Sequence, residues 1–250
     1  MRVITKKVLK KIVVRSFYIQ GSWNYQRMLN LGFCYCILPI LDVLKLSKEE
    51  RIAFLQRHLE FFNAHPYFAS FALGATARLE EQYHREKWPS PRPIIVFKER
   101  LCGPLGALGD RLFWGTIRPL MALLGVLISL LWGFAGPAFL FVFYNVAHFY
   151  FRYFGVIRGY ELGFDIVREL SKRRYENYVH VLGAVGAVFV GIFLGYFAFS
   201  TGGTGAFLFA LAFGISLIFI RLRKPIYMPI FFCLGCYVLF ELIVGGQIRP

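Results

Sequence analysis

The sequence predicts an all-α integral membrane protein built from interfacial amphipathic helices, re-entrant helical hairpins and about three regular transmembrane helices. Three observations predict it. Of the 250 residues, 57% are hydrophobic and only 17% charged, whereas soluble domains carry about a quarter charged residues. No Asp, Glu, Lys or Arg occurs from Pro119 to Phe151, nor from Val179 to Ile220. Charge-free apolar runs of about 18 residues or more read as membrane segments. Finally, the net charge of +15 sits beside these apolar runs and not on a separate polar domain. That placement excludes a nucleic-acid partner and suits anchoring to an anionic, cytoplasmic membrane surface.

At the N-terminus, Val3 to Tyr18 predicts an amphipathic helix. Ile4, Val8 and Ile12, with Leu9, Val13 and Phe17, form a stripe opposite Lys6, Lys7, Lys10 and Lys11. Such a helix either lies in the membrane interface with its lysines towards headgroups or packs on a partner subunit. No cleavable leader is expected, because Lys10 and Lys11 interrupt the apolar pattern. A mostly apolar run from Met28 to Leu46 comes next. Ser47-Lys48-Glu49-Glu50 then reads as a capping box opening a surface helix, with Ile52, Leu55, Leu59 and Phe62 on its apolar face and Arg57 among its polar positions.

At Phe61-Phe62-Asn63-Ala64-His65-Pro66-Tyr67 polar side chains and a proline interrupt apolar sequence. Irregular backbone at membrane depth is tolerated only inside protein or along a wet cavity, so a re-entrant hairpin with a polar tip is expected, running on through Ala77. Gln82 to Gly103 reads as a solvent-facing, proline-rich connection. The 33 charge-free residues of 119–151 divide near Gly133-Phe134-Ala135-Gly136-Pro137. Each arm of about 15 residues would reach roughly 23 Å, short of a hydrocarbon core of about 30 Å, which predicts a short hairpin. Regular spans are expected at Val179–Phe199, Gly205–Ile220 and Ile226–Val244. Basic loops at 152–174 and 221–224 against the uncharged Ser200–Thr204 turn place the C-terminus outside. Residues 1–178 would form a core and 179–250 a set of C-terminal transmembrane helices, in a single functional unit. The five cysteines read as small buried hydrophobes and not as metal ligands.

Four stretches, in this order, carry a family resemblance: Arg15-Ser16-Phe17-Tyr18-Ile19-Gln20-Gly21-Ser22-Trp23-Asn24-Tyr25-Gln26-Arg27-Met28; His58-Leu59-Glu60-Phe61-Phe62-Asn63-Ala64-His65-Pro66-Tyr67; Gly103-Pro104-Leu105-Gly106-Ala107-Leu108-Gly109-Asp110 with Phe113-Trp114-Gly115-Thr116-Ile117-Arg118-Pro119; and Tyr144-Asn145-Val146-Ala147-His148 with Arg152-Tyr153-Phe154-Gly155. Together they resemble the IID subunit of the mannose/fructose/sorbose-type phosphotransferase system, from about Arg15 to Leu170. The resemblance implies a non-catalytic permease subunit of the bacterial inner membrane. It would pair with a IIC subunit in a higher oligomer of IIC–IID pairs. IIA and IIB partners would relay phosphate to the arriving hexose or amino sugar. No cofactor is implied. Two departures, Arg111 after Asp110 and the short 200–204 turn, motivate a second reading as a non-transporting scaffold or sensor.

Six residues are the expected substrate contacts. Asn63 and His65 at the polar tip offer donors and acceptors of the kind a sugar requires. Trp23 would stack on a sugar ring and Asn24 bond its hydroxyls. Glu80 and Gln82 come after the hairpin, where either a substrate role or a solvated face is expected. Asn145 and His148 read as helix-to-helix hydrogen bonders. A metal enzyme is disfavoured: Glu81 and His84 supply half of a di-iron set, and Glu176 and His180 are wrongly spaced for the other half.

Overall fold

The computed structural model describes residues 3–171 and 173–200, together with helical residues 207, 210, 211, 213–215 and 218, and residues 221 and 222. The chain divides into two compact units, Met1–Ala187 and Val188–Pro250, and the buried core lies in the first. Among the described residues the architecture is helical, with no strand beyond two isolated bridges, Asn24 to Met28 and Met28 to Phe62.

Helix α1 (Lys6–Ser16) carries the predicted stripe, but the stripe is already taken. Ile4, Val8, Leu9 and Ile12 are buried in the protein's own core, where α1 packs on α2 (Asn30–Ile37), α5 (Ala69–Glu86) and α8 (Ala135–Leu162). Four residues of the stripe thus pack within the chain, whereas Phe17 is 40% exposed and the lysine face is left exposed. After α2, a 3₁₀ turn holding Pro39 and the short α3 (Leu41–Leu44) lead to α4 (Lys48–His58). The capping box forms as read: Ser47 Oγ accepts from the Glu50 amide at 3.2 Å, and the Ser47 amide donates to the Glu50 carboxylate at 2.8 Å. The buried face of α4 is different from the one expected. Phe54, Arg57 and His58 are inside, whereas Ile52 is 48% exposed.

Between α4 and α5 the chain runs as an irregular strap, 59–68. Its backbone is tied to the 24–30 segment, with Leu29 N–H donating to Phe62 O at 2.8 Å and the Asn30 amide to Leu59 O at 2.7 Å. The strap then turns into α5, twelve of whose eighteen residues are buried. The apolar run Phe68 to Ala77 is therefore the centre of the core. Its main partner is α8, and small residues bring the two backbones together. A Cβ at Gly159 would strike the Phe71 carbonyl, and one at Gly155 would strike Ser70. This is the Gly-x-x-x-Gly device by which helices approach closely without a hydrophobic driving force.

The solvent-facing connection expected at 82–103 shrinks to 87–91, because α5 runs to Glu86 and α6 (Arg92–Gly109) starts at once. Pro93 lies in the first turn of α6, where a missing N–H costs nothing. From α6 the helix continues through a π-helical stretch, Asp110–Ile117, into α7 (Arg118–Trp132), giving 41 continuous residues, Arg92–Trp132, apolar enough to cross a membrane. At 1.5 Å per residue that is about 61 Å. The hairpin arms are thus longer than the charge-free run implied, because charges at Asp110, Arg111 and Arg118 end the apolar run without ending the helix. The turn falls where expected, at Gly133, whose φ of +54° favours glycine. Likewise α8 continues past Phe151 to Leu162, so Arg152 is not a loop anchor. It is buried between the rings of Phe17 and Tyr67 and donates to His148 at 2.6 Å and to the Ser16 carbonyl.

A 3₁₀ turn and the short α9 (Ile166–Leu170) precede α10 (Arg173–Ser200), whose stretch Tyr175–Tyr196 is the second candidate membrane span. The Ser200–Thr204 turn beyond Ser200, most of the span read at Gly205–Ile220, the span at Ile226–Val244, and Cys233 with Cys236 lie outside the described residues. Cys34 and Cys36 are buried and unpaired.

Candidate functional site

A cleft of about 470 Å³ opens between the strap and α6, within the size range of small-molecule sites. Asn63, Ala64, His65 and Pro66 form one wall, and Cys102, Gly103, Gly106, Ala107, Asp110 and Trp114 the other. Gln20 and Trp23 reach it from the segment after α1. The strap is irregular because it is stitched on both sides: the Arg27 guanidinium and the Asn30 amide both donate to Leu59 O, and Asn63 N–H points at Cys102 Sγ. Asn63 consequently presents its side chain outward, where it is exposed and bonded to nothing among the described residues.

His65 is the opposite, 2% exposed. Its ring stacks on Phe113 at 5.4 Å and meets Trp114 edge-on at 5.2 Å. It lies so close to α6 that a Cβ at position 109 would overlap its Cβ and Cγ, so only glycine fits there. Nδ1 accepts from the Tyr67 N–H at 3.3 Å, which assigns the proton to Nε2. That Nε2 is buried and has no partner among the described residues. Burial first, and then the Arg152 charge, push the His65 pKa down to about 4, so the ring is a neutral donor at physiological pH. A buried donor without an acceptor is costly unless a ligand or water supplies one.

The structure brings Asn63, His65 and Trp23 together and places the other three expected contacts elsewhere. Asn24 is used in folding: its Oδ1 accepts from the Arg27 N–H at 2.8 Å, and its amide donates to Asn30 Oδ1 at 3.1 Å. Gln82, partly buried, lies near Gly163 at the end of α8. Glu80 is fully buried and accepts from Arg57 Nε at 2.7 Å, from Arg57 Nη2 and from His58 Nε2 at 3.0 Å; His84 Nε2 stands 3.6 Å away. The solvated-face alternative for Glu80 is thereby corrected. Burial by itself would raise the Glu80 pKa, but hydrogen bonds from Arg57, His58 and His84 outweigh it and hold the carboxyl well below its ordinary value. Burial pushes His58 down to about 4. Neighbouring Glu81 is also inside, accepting from Tyr160 Oη and the Val3 N–H. Asn145 donates within its own helix, to Phe141 O at 2.7 Å. Among the described residues no group of three or more His, Cys, Asp or Glu side chains is placed to hold a metal.

Asp110, Trp114 and Gln20 line the cleft without having been singled out as contacts from sequence. Asp110 did carry a signal, as a carboxylate between two apolar segments. Its π-helical setting is also informative, since π turns recur at functional positions. Arg111 is exposed and does not line the cleft.

Residues 3–204 match the family model described as PTS system mannose/fructose/sorbose family IID component. The mannose-specific EIID component of Escherichia coli K12 is 39% identical over 169 residues, covering 67% of this chain and 60% of that protein. The fructose permease IID component of Bacillus subtilis 168 is 35% identical over 191 residues, covering 76% and 68%. The matched region thus spans about three-fifths of the E. coli relative's length. Among solved structures, a membrane protein superposes with a TM-score of 0.71 at 35% identity, over 77% of this chain and 71% of that one. A chain of the mannose transporter ManYZ, solved in complex with microcin E492, superposes with a TM-score of 0.63 at 27% identity, over 99% and 98%.

Proposed function

The chain belongs to the mannose/fructose/sorbose family of phosphotransferase-system IID components, and from that premise we propose that it forms, with a IIC subunit, the membrane path for sugar uptake. The observation that carries the reading is the cleft at the strap. It combines a buried, neutral imidazole donor, a free amide and a carboxylate with two indole rings. Sugars are bound by such sets: paired donors and acceptors for hydroxyls, and an apolar ring face for the C–H side. The substrate is a hexose or amino sugar. IIA and IIB carriers supply the phosphoryl group, and no step of that transfer is assigned to this chain.

Residues 1–178 and 179–250 act as one functional unit in the bacterial inner membrane, in a higher oligomer of IIC–IID pairs. Arg158 near the end of α8, Arg168 in α9 and Arg173 at the start of α10 favour a cytoplasmic position for this end of the two helices, with the C-terminus outside. The scaffold reading rested on Arg111 and the short 200–204 turn. Arg111 stands off the cleft and gives it no support.

The test is co-expression with the genomic IIC neighbour, purification through a tag on one subunit, and measurement of sugar binding to the complex. Co-purification with saturable binding is expected, and Asn63→Ala should abolish binding and uptake while leaving assembly intact. Wild-type uptake in Asn63→Ala would remove the cleft from the sugar path.

A further inference from the structure

A second hollow, of about 290 Å³, shares no lining residue with the cleft. It is a partly open slot walled by Leu112 and Ile117 of the π-helical stretch, by Tyr150 and two phenylalanines of α8, and by Tyr175, Tyr178 and Leu182 of α10. The lining is aliphatic and aromatic, without a charge. Two of its three walls belong to the candidate membrane spans, Arg92–Trp132 and Tyr175–Tyr196. Leu182 lies about 10 Å farther along its span than Tyr175, so the slot has an outer end at Tyr175 and an inner, aliphatic one. Tyr150 and Tyr178 are 57% and 50% exposed, amphipathic rings of the kind that sit at the level of lipid headgroups. Cations stand at the outer end: Arg111 immediately precedes Leu112, and Arg173 lies two residues before Tyr175. Both are exposed, and neither makes an ion pair among the described residues. The carboxylates next to them in sequence line other hollows, Asp110 the cleft at the strap and Glu176 one with Leu101 and Pro104.

We propose that this slot binds one anionic phospholipid, with an acyl chain between Ile117, Tyr150 and Leu182 and the headgroup phosphate on Arg111 and Arg173. The inference is independent of the reading of the cleft as a sugar site. The most apolar stretch of α10 buries nothing within the chain, and a void beside it forfeits contacts that an acyl chain restores. Guanidinium groups match phosphate oxygens in a fixed fork geometry, and basic pockets between membrane helices hold anionic headgroups. A lipid is the occupant, and not an apolar helix of another subunit, because such a helix would leave both arginines unanswered at the mouth. A zwitterionic lipid fills the slot equally well but brings its own cation beside the arginines, so the preference for an anionic headgroup comes from Arg111 and Arg173. Arg111 thereby acquires a role. It stands off the cleft because it serves the neighbouring slot.

The experiment uses the purified complex of this chain with its IIC neighbour, stripped of lipid in detergent. It is titrated with phosphatidylglycerol or with phosphatidylcholine of identical chains, and retained lipid is counted by native mass spectrometry. One phosphatidylglycerol per copy of this chain should be retained, about tenfold or more tighter than phosphatidylcholine. Arg111→Gln and Arg173→Gln should each weaken it about fivefold, and the double variant should bring it within about twofold of phosphatidylcholine. Leu182→Trp fills the slot and should abolish retention of both lipids. Arg168→Gln, equally exposed but on α9 and outside the slot's lining, should change nothing. Equal affinity for the two lipids in the wild type, or unchanged phosphatidylglycerol binding in the double variant or in Leu182→Trp, would overturn the proposal. So would a loss in Arg168→Gln as large as in Arg111→Gln, which would mean diffuse attraction and no site, or displacement of the lipid by inorganic phosphate, which would mean an anion site without a chain. If the wild type retains no lipid and Leu182→Trp breaks co-purification, the slot is a subunit interface and the proposal falls.

Discussion

Two polar clusters flank the strap at 59–68, each with a histidine and a carboxylate, and they differ in where their partners come from. Around Glu80, both carboxylate oxygens are held by Arg57 and His58 from the end of α4, and Lys98 of α6 closes over the Arg57 carbonyl. In the cleft, the His65 Nε2 and the Asn63 and Asp110 side chains have no such partners among the described residues. A buried carboxylate answered from within the chain fixes how α4 returns along α5. Polar groups left unanswered at a cleft wall are available to a ligand. The identity of a residue therefore says less about its job than whether the fold supplies its counterpart.

The comparison can be broken most severely at Glu80. Glu80→Ala leaves the Arg57 charge buried and alone, and removing one partner of a buried pair costs about 3–5 kcal/mol. The variant should lose most of its membrane-inserted, detergent-extractable yield, and normal yield and melting temperature would show that the cluster is not structural. Acid should act in the same direction but less. The folded His58 pKa of about 4 lies below its ordinary 6.5, so as pH falls through that window the unfolded chain takes up a proton that the folded chain refuses. Glu80, held below its ordinary 4.5, adds to the loss at the acid end. Stability should be full above about pH 6.5 and fall by roughly 3 kcal/mol towards pH 4. Thermal unfolding at stepped pH reads this directly; a flat profile contradicts it, and His58→Gln should make it shallower without flattening it, because His65 is also held down to about 4. The smallest effect sharpens the cleft side. Gly109→Ala pushes against the His65 ring and should weaken sugar binding about tenfold, with a stability cost of about 1–3 kcal/mol from overpacking. Unchanged affinity would show that His65 serves only the strap.

Much of the fold is legible in particular residues. Ser47 and Glu50 announce the start of α4, Gly133 marks the α7–α8 turn, and the charge-free runs mark the membrane segments. The alternation of apolar and lysine positions in α1 was equally plain, yet it could not say what covers the apolar face. Sequence patterning reports that a stripe must be buried and is silent on the surface that buries it. The same limit explains Arg57 and Arg152, read as exposed or anchoring cations and found inside. A charged residue is buried only when a distant partner, such as Glu80 or the rings of Phe17 and Tyr67, repays its desolvation. Half of the expected contacts, Asn63, His65 and Trp23, share one cleft because the proline and the polar tip marked irregular backbone. Asn24, Glu80 and Gln82 do not: Asn24 is bonded within its own turn to Arg27 and Asn30, Glu80 is held by Arg57 and His58 of α4, and Gln82 lies near Gly163.

What the sequence determined by itself was the medium, the helical class and the family, since composition, periodicity and local motifs are properties of neighbours along the chain. The tertiary structure alone decided which carboxylate is a strut and which faces the cleft. Glu80 and Asp110 carry the same charge. Only the positions of Arg57 and His58, brought back along α5 by the strap, separate one from the other.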